Sequence, residues 1–308
     1  MYNKELDMGQ YDIAIIGGGP AGLQAALVLA RTRKNIIVFD DPQPPRNGAS
    51  HGVHNFLGLD GLRPAQIREI AWQQINVYQS AELRQERVTN IAKGDDYFYV
   101  AGHKGTTIQA SHVILAFGYR DIYPNIAGFT DCWADTIISC PFCDGYENRN
   151  RVWGVVAVSE LHAHHFPKML KNWTPTIKLL LQPSVVIDAG YRDELLTAGI
   201  TVHEGAITQI HHTKGKVEGV VLESGEAVEV GTLLWIPPKE PLPLIQNLVG
   251  NLGLALDEEG FVKTNEMQQT NVDKLWAVGD VQNGRSGALD AAHTGLMAAF
   301  MIIKDWHS

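Results

Sequence analysis

The sequence predicts an α/β protein of two nested domains, each built on a parallel β-sheet. Three observations support this prediction. A glycine-rich turn joins an apolar strand to a helix near the N-terminus, a second strand–helix–strand pattern lies at 151–181, and proline-containing segments at 122–128 and 237–243 flank the middle of the chain. Strands alternating with helices favour parallel sheets, and prolines stop elements and stiffen connections. The pattern therefore predicts one α/β domain inserted into another.

The composition fits a folded protein and excludes several classes of function. The 308 residues are 45% hydrophobic and 19% charged, enough for one large or two medium domains. A net charge of -9 provides no basic footprint for nucleic acid. The start of the chain, MYNKELDMGQ, lacks the basic and apolar regions of a secretory signal. We therefore expect a cytoplasmic protein without a transmembrane segment, and peripheral membrane contact stays open.

The apolar run near the N-terminus predicts a buried strand followed by a nucleotide-binding turn. Residues 11–16, YDIAII, are bounded by glycine, and a helix is predicted over 21–30. Between them, Gly17, Gly19 and Gly22 match G-x-G-x-x-G. In this motif the first glycine permits a tight turn, the second lets the backbone approach a pyrophosphate, and the third lets helix and strand pack closely. The glycines also argue against a membrane span in this apolar region.

An acidic residue follows the next strand, where a ribose is expected. That strand is predicted over 35–39 and ends at Asp40, about 20 residues beyond the glycines. Asp40 is expected to accept hydrogen bonds from ribose hydroxyls, with Asp41 as the alternative. Pro20 and Ala21 open the helix, whose N-terminus favours negative phosphates. The whole unit predicts a dinucleotide but does not choose between FAD and NAD.

Two further strand ends carry glycine. Residues 113–118, VILAFG, predict a strand ending at Gly118, and residues 274–280, KLWAVGD, predict a short strand ending at Gly279 and Asp280. Asp280 is placed to bond a polar sugar chain.

The last helix is predicted over 288–303 from its apolar spacing. It begins with Ala288 and Leu289, which we expect to face the cofactor.

Cys140-Pro-Phe-Cys143 is the candidate redox pair. Three cysteines are too few for a disulfide scaffold, and a Cys-x-x-Cys pair without a signal peptide indicates redox chemistry or metal. Its disulfide and dithiol differ by two electrons, which matches a flavin step. A helix starting near Cys143 would lower a thiol pKa. Cys132 is expected to be a core or loop residue.

Zinc is the alternative for the cysteine pair. A structural zinc needs four ligands, and the sequence has no second Cys-x-x-Cys. His162, His164 and His165 lie about 20 residues downstream, a spacing that fits no familiar zinc motif. We therefore predict no metal and a solvent-facing histidine cluster on a helix. His211 and His212 are expected in a turn-like stretch.

In their order, these motifs resemble those of low-molecular-weight thioredoxin reductases and their relatives. The resemblance rests on the glycine loop with Asp40, the strand at 113–118, Cys140-Pro-Phe-Cys143-Asp144, and Ala277-Val-Gly-Asp280, and it spans nearly the whole chain. It implies two nested Rossmann-like three-layer domains of the thioredoxin reductase type. It also implies FAD in the first site, a thiol or disulfide substrate of protein or small-molecule type, and a homodimer.

The resemblance implies roles for further residues. An acid at the position of Asp144 shuttles the proton during thiol exchange in these reductases, although position alone would favour a helix-cap or turn aspartate. Residues 44–47 and 51–58, PPRN and HGVHNFLG, resemble a divergent branch that oxidises or reduces small dithiols, and Asn47 is assigned to the cofactor. Some relatives in this branch carry a working histidine near the flavin, so His293 is a candidate second proton carrier. An ordinary helix histidine is the alternative.

The second strand–helix–strand unit has lost its glycines. A strand is predicted over 151–158 and a helix over about 160–170, but the loop positions that relatives use for NADPH hold Ala157, Ser159 and His162. Side chains there obstruct the approach of a backbone to a pyrophosphate.

The basic clamp for the 2′-phosphate of NADPH is also missing. The strand at 176–181 is followed by Gln182-Pro-Ser, where the family carries arginines. We therefore expect an FAD-dependent oxidoreductase that works without NADPH. The sequence leaves open a second FAD, as in diflavin-linked disulfide oxidoreductases, with Tyr146, Trp153 and Trp235 as candidate lining. It also leaves open an NADPH-dependent thioredoxin or small-dithiol reductase and a dithiol oxidase using oxygen.

The expected domain boundaries follow the two proline-containing segments. Residues 1–121 and 241–308 would form the FAD-binding domain, and residues 122–240 the inserted central domain with the cysteine pair. The direction of electron flow depends on reduction potentials, and these cannot be read from the residues.

Overall fold

The computed structural model describes residues 9–284 and 287–306, which form two compact units. The first unit takes in the chain up to residue 48, residues 62–120, and the chain from residue 239 onward. The second unit takes in residues 49–61 and 121–238. The sequence-based boundaries placed residues 49–61 in the flavin domain, whereas their contacts group them with the unit that carries the cysteine pair.

The secondary structure alternates strands and helices along most of the chain. Numbered in chain order, the strands are β1 Gln10–Ile16, β2 Ile36–Asp40, β3 Ala81–Gln85, β4 Val88–Lys93, β5 Phe98–Gly102, β6 Thr107–Leu115, β7 Arg120–Asp121, β8 Ile137–Ile138, β9 Trp153–Ala157, β10 Ile177–Leu181, β11 Thr201–Glu204, β12 Ile207–Thr213, β13 Lys216–Leu222, β14 Ala227–Glu229, β15 Thr232–Leu234, β16 Lys239–Glu240 and β17 Leu275–Ala277. The α-helices are α1 Pro20–Arg31, α2 Pro64–Asn76, α3 Phe129–Cys132, α4 Pro141–Asp144, α5 Glu160–Met169, α6 Ala189–Thr197, α7 Pro243–Leu252 and α8 Ala288–Asp305, with 3-10 turns at Leu170–Asn172 and Gly279–Val281.

The first unit is a three-layer α/β structure. Its sheet has the order β3-β2-β1-β6-β5-β4, with β17 also paired to β6. The pairs β1–β2, β1–β6, β2–β3 and β6–β17 are parallel, and β4–β5–β6 are antiparallel. Alternate residues of β1 point to opposite faces, so that Ile13 and Ile15 pack with α1 and α8 while Ala14 and Ile16 pack with α7. Both faces are covered, which is why β1 is apolar throughout.

The second unit repeats this layering. Five parallel strands follow the order β11-β10-β9-β15-β8, and β12-β13-β14 form a small antiparallel sheet. Val155 of β9 packs with Ala163 and Leu195 on the helical side, whereas Val156 packs with Ile210 on the side of the small sheet. The predicted α/β class is therefore confirmed in both units.

Two smaller features differ from or add to the sequence-based expectations. His211 and His212 lie within β12, not in a turn, at a register shift opposite β13. The bulge interrupts the alternation of apolar and polar residues that marks a strand, which explains the wrong prediction.

Within the described ranges, no helix has the length and apolar character needed to cross a bilayer.

Candidate functional site

The first glycine loop is closed tightly at both ends. Gly17 has φ +120°, and a Cβ there would lie 2.4 Å from the backbone oxygen of Ala116. A Cβ on Gly22 would lie 2.0 Å from the backbone oxygen of Gly17. These are contacts that no side chain tolerates, so both glycines are required by the approach of strand, turn and helix.

The middle of the same loop is open. Gly19 is the N-cap of α1 in extended conformation, no side chain caps the helix, and a Cβ on Gly19 would meet nothing within 4 Å. Pro20 occupies the first helical position and Ala21 follows it, buried. Backbone N–H groups at an uncapped helix start provide an anion site. The loop therefore fits the pyrophosphate of FAD.

The acid at the end of β2 is held against the loop. The backbone N–H of Gly18 donates to Oδ1 of Asp40 at 3.1 Å, and Oδ2 of Asp40 forms an ion pair with Arg68. Asp41 instead makes a 3.9 Å ion pair with Arg87. The position of Asp40 against the loop favours it over Asp41 for the ribose. The sequence did not single out Arg68, because the residue lies on α2, outside the motif.

The other two strand ends meet α1 and each other. Gly118 has φ +68° and would place a Cβ 3.8 Å from Cβ of Asp280. Gly279 has φ +69°, and a Cβ there would lie 2.9 Å from Cβ of Ala21. Asp280 lies 4.0 Å from the guanidinium of Arg46. The structure therefore brings these sequence-predicted residues to one end of the sheet.

The remaining cofactor candidates lie on the surface of the first unit. Ala288 is half-buried and Leu289 is exposed in the first turn of α8, and Asn47 is exposed in the loop that follows β2. His293 is exposed on α8. Its role as a second proton carrier stays a prediction.

The cysteine pair occupies a single helical turn in the second unit. Cys140 is the extended N-cap of α4, Cys143 lies within the turn, and both side chains are half-buried. The pKa of Cys140 is lowered to about 7, first by the hydrogen bond from the Cys143 thiol and then by the backbone N–H groups of Cys143 and Phe142, against burial and the charge of Asp144. The thiolate is therefore populated near neutral pH. Neighbouring donors, not a long helix, produce the effect.

The third cysteine lies in the core. Cys132 is fully buried in α3, and burial raises its pKa to about 11, which keeps it an unreactive thiol.

Asp144, the residue after Cys143, has a raised pKa. The pKa of its carboxyl is raised to about 6, first by burial and then by the carboxylate of Glu147, with His54 and His51 acting in the opposite direction. A carboxyl with a pKa near neutral pH can both hold and release a proton, as acid–base catalysis requires. The raised pKa suits a proton carrier, and this role of Asp144 stays a prediction.

A loop from far upstream contacts the cysteine turn. The side-chain amide of Asn55 donates to the backbone oxygen of Phe142 at 2.7 Å, and Nε2 of His54 lies 3.5 Å from Oε1 of Glu147. Sequence reasoning noted this HGVHNFLG segment but assigned it no contact. Its histidines and asparagine, polar types between apolar residues, were the available signal.

The second nucleotide loop is closed by its own side chains. Ser159 caps α5 by accepting a hydrogen bond from the backbone N–H of His162 at 3.3 Å. Glu160 adds a negative charge in the first turn, and Ala157 is fully buried at the end of β9. Burial lowers the pKa of His162, which favours its neutral form. The first turn of α5 therefore presents a carboxylate and a neutral-favouring imidazole to its N-terminal end.

The position after β10 is also occupied internally. The backbone N–H of Gln182 donates to the oxygen of Ala157 at 3.1 Å, and its side-chain amide donates to Gly205 at 3.4 Å. A neutral side chain bound to the unit's own backbone stands where a 2′-phosphate clamp would be needed.

The three aromatic candidates for a second flavin do not form a common surface. Trp153 and Trp235 are core residues with 0% and 4% exposure, while Tyr146 is 66% exposed and stacks under Arg149.

In the part of the chain that the structure describes, no three His, Cys, Asp or Glu side chains lie close enough together to hold a metal ion.

An open dinucleotide loop in one α/β unit and an ionisable cysteine pair beside an acid in another define a flavin-linked disulfide oxidoreductase. The chain matches the model of the pyridine nucleotide-disulphide oxidoreductases over residues 11–156 and 180–299, and it belongs to this family. It is an FAD-dependent enzyme of the thioredoxin reductase type.

Individual relatives agree with this assignment. The chain is 28% identical to thioredoxin reductase aclD of Aspergillus oryzae, with 96% of each chain covered. It is 30% identical to thioredoxin reductase tcpT of Claviceps purpurea, covering 96% of this chain and 95% of that one. The crystal structure of HlmI superposes with a TM-score of 0.88 at 28% identity over 97% and 93% of the two chains. An oxidoreductase from Agrobacterium tumefaciens also gives 0.88, at 31% identity over 97% and 99%.

Proposed function

We propose that this enzyme exchanges electrons between FAD, the Cys140–Cys143 pair and an external dithiol or disulfide, without NADPH. One contrast carries the proposal. The start of α1 is open at Gly19, whereas the start of α5 is capped by Ser159 and made negative by Glu160. A pyrophosphate needs the first arrangement and is opposed by the second.

The residues of the cysteine turn carry the exchange. A thiolate of the external dithiol attacks one sulfur of the disulfide, the S–S bond breaks, and the leaving cysteine departs as a thiolate. The second external thiol then displaces the mixed disulfide, which yields a substrate disulfide and the Cys140/Cys143 dithiol. Asp144 takes and returns the proton, because its carboxyl titrates near neutral pH. FAD, when bound, supplies the two-electron partner for the pair.

A second candidate is an NADPH-dependent thioredoxin or small-dithiol reductase. The names of the relatives aclD and tcpT favour it, because both are thioredoxin reductases. A dithiol oxidase that passes electrons to oxygen, and an enzyme with a second FAD, are variants of the leading proposal.

Anaerobic reduction of the purified flavoprotein tests the proposal. We expect dithiothreitol to bleach the flavin, and NADPH and NADH to leave it unchanged over the same period. Rapid bleaching by either nicotinamide would overturn the proposal in favour of the reductase. Admitting oxygen to the dithiol-reduced enzyme then tests the oxidase variant, which must consume oxygen and form peroxide.

A further inference from the structure

The segment at 51–61, which we call the thiol-facing loop, is a self-contained turn. The backbone N–H of Asn55 donates to Oδ1 of Asp60 at 2.8 Å, and the N–H of Gly61 donates to the oxygen of Val53 at 2.9 Å. Asn55 has φ +62°, a conformation that asparagine tolerates better than most residues. The loop therefore holds its own shape and presents a fixed set of side chains.

One hydrogen bond fixes this loop to the peptide between the two cysteines. The donor is the side-chain amide of Asn55 and the acceptor is the backbone oxygen of Phe142, at 2.7 Å. The residues are 87 positions apart, so the contact is made only by the folded unit. It places the preceding residue of the loop, His54, beside the turn that follows the cysteines.

Charged groups surround His54 on both sides. Nδ1 of His54 lies 3.6 Å from Oδ2 of Asp60 in its own loop, and Nε2 lies 3.5 Å from Oε1 of Glu147. Glu147 follows Asp144 by three residues and lies in the turn after α4.

A second histidine of the loop has a different partner. Nε2 of His51 lies 3.6 Å from Asp135, whose carboxylate also binds the ammonium of Lys216. Asp135 is thus already paired with a lysine, and His54 is the loop histidine that forms an ion pair with Glu147.

We propose that His54 is a positioning residue for thiol exchange, which holds Glu147 and thereby sets the protonation of Asp144, with Asn55 anchoring the loop. The proposal rests on the proposed function to the extent that Asp144 is the proton carrier. Nε2 of His54 lies 3.5 Å from Oε1 of Glu147, so the imidazole orients the carboxylate that opposes the ionisation of Asp144.

The electrostatics of Asp144 agree in sign with this arrangement. Glu147 raises the pKa of Asp144 and the two histidines lower it, beside the larger effect of burial. Removal of His54 and removal of Glu147 must therefore act in opposite directions, which a general loss of structure cannot imitate.

The test measures anaerobic reduction of the oxidised holoenzyme by dithiothreitol as a function of pH, followed by counting alkylated thiols in acid-quenched samples. The apparent midpoint that disappears in D144N is assigned to Asp144. We expect H54Q to raise this midpoint by about 0.3 pH unit or more and E147Q to lower it by a similar amount. The control H165Q, on the exposed side of α5, should leave it unchanged.

A double variant separates positioning from general loop damage. N55D keeps a residue that tolerates positive φ but removes the amide donor to Phe142. We expect H54Q to shift the midpoint less in an N55D background than in the wild type. Shifts of H54Q and E147Q in the same direction, no shift in either, or a midpoint that persists in D144N would each overturn the proposal. Because this reduction involves no nicotinamide, bleaching by NADPH would refute the proposed function without affecting the result.

Discussion

Two helices, α1 and α5, start after a buried parallel strand, yet they treat their first turn in opposite ways. At α1 the turn is glycine, no side chain caps the helix, and space remains at Gly19. At α5 the cap is Ser159, and Glu160 adds a negative charge. The comparison shows that the same strand–helix unit can leave the first N–H groups of its helix open for a ligand or bind them with its own side chains. The choice lies in which atoms receive the first N–H groups.

The largest expected effect comes from breaking the first loop at its tightest point. Gly22→Ala would place a Cβ 2.0 Å from the backbone oxygen of Gly17, so the strand and helix must separate. We expect loss of bound flavin and destabilisation by about 2–3 kcal/mol. Flavin absorbance per protein after gel filtration, together with the melting temperature, measures both.

Gly19→Ala is the matched control for this variant. A Cβ at Gly19 meets nothing within 4 Å, so the fold should stay intact while the approach of the pyrophosphate is impeded. Full stability with weakened flavin binding is expected. If both variants kept their flavin, the loop would not be the cofactor site.

A smaller effect on stability is expected from replacing Asp144, whose surroundings differ from those of Glu160. Asp144 is half-buried and its pKa is raised to about 6, whereas Glu160 is exposed. A raised folded pKa means that the folded state favours the protonated form. Asp144 therefore reduces stability progressively as the pH rises from about 4 through 6. We expect Asp144→Asn to be more stable than wild type at pH 8 by roughly 2 kcal/mol, and similar at pH 4.

Chemical denaturation at the two pH values checks this expectation. Glu160→Gln is the control, because an exposed acid at a helix start should stabilise the helix slightly above its pKa. A destabilised Asp144→Asn at pH 8 would show that Asp144 behaves like Glu160 and would remove the contrast between the two acids.

The smallest effect concerns the closed helix start. Ser159→Ala removes the acceptor for the N–H of His162 and should destabilise the second unit by about 1 kcal/mol. Ser159→Asp restores an acceptor and should recover most of that loss. Thermal unfolding of the three proteins gives the order directly. Equal stability of Ser159→Ala and wild type would mean that the cap does not stabilise the helix and that Ser159 does not close this loop.

Local features of the fold were predictable from sequence, and long-range ones were not. The strand at 11–16, the glycine turn and the helix after it follow from adjacent residues, whose periodicity and turn chemistry are visible in one window. The cysteine turn was predictable for the same reason. The cap at Ser159 is also a local signal, since serine before a helix is a standard N-cap.

The docking of the thiol-facing loop lay beyond the reach of local patterns. The bond from Asn55 to Phe142 spans 87 residues, and nothing in either segment specifies the other. The ion pair of Arg68 with Asp40 is similar, because an arginine on an amphipathic helix has many surface partners to choose from. Such contacts depend on topology, which places segments together only after sheets have formed.

The crossing of α1 and α8 has a mechanical consequence. A Cβ on Gly295 would lie 2.0 Å from the backbone oxygen of Ala21, so the two helices touch backbone to backbone without a layer of side chains between them. Side chains can change rotamer and absorb displacement, whereas main-chain atoms in contact cannot. The start of α1 and the body of α8 therefore move as one stiff body of low compressibility. We expect a displacement of either helix to shift the glycine turn at 17–19 as well.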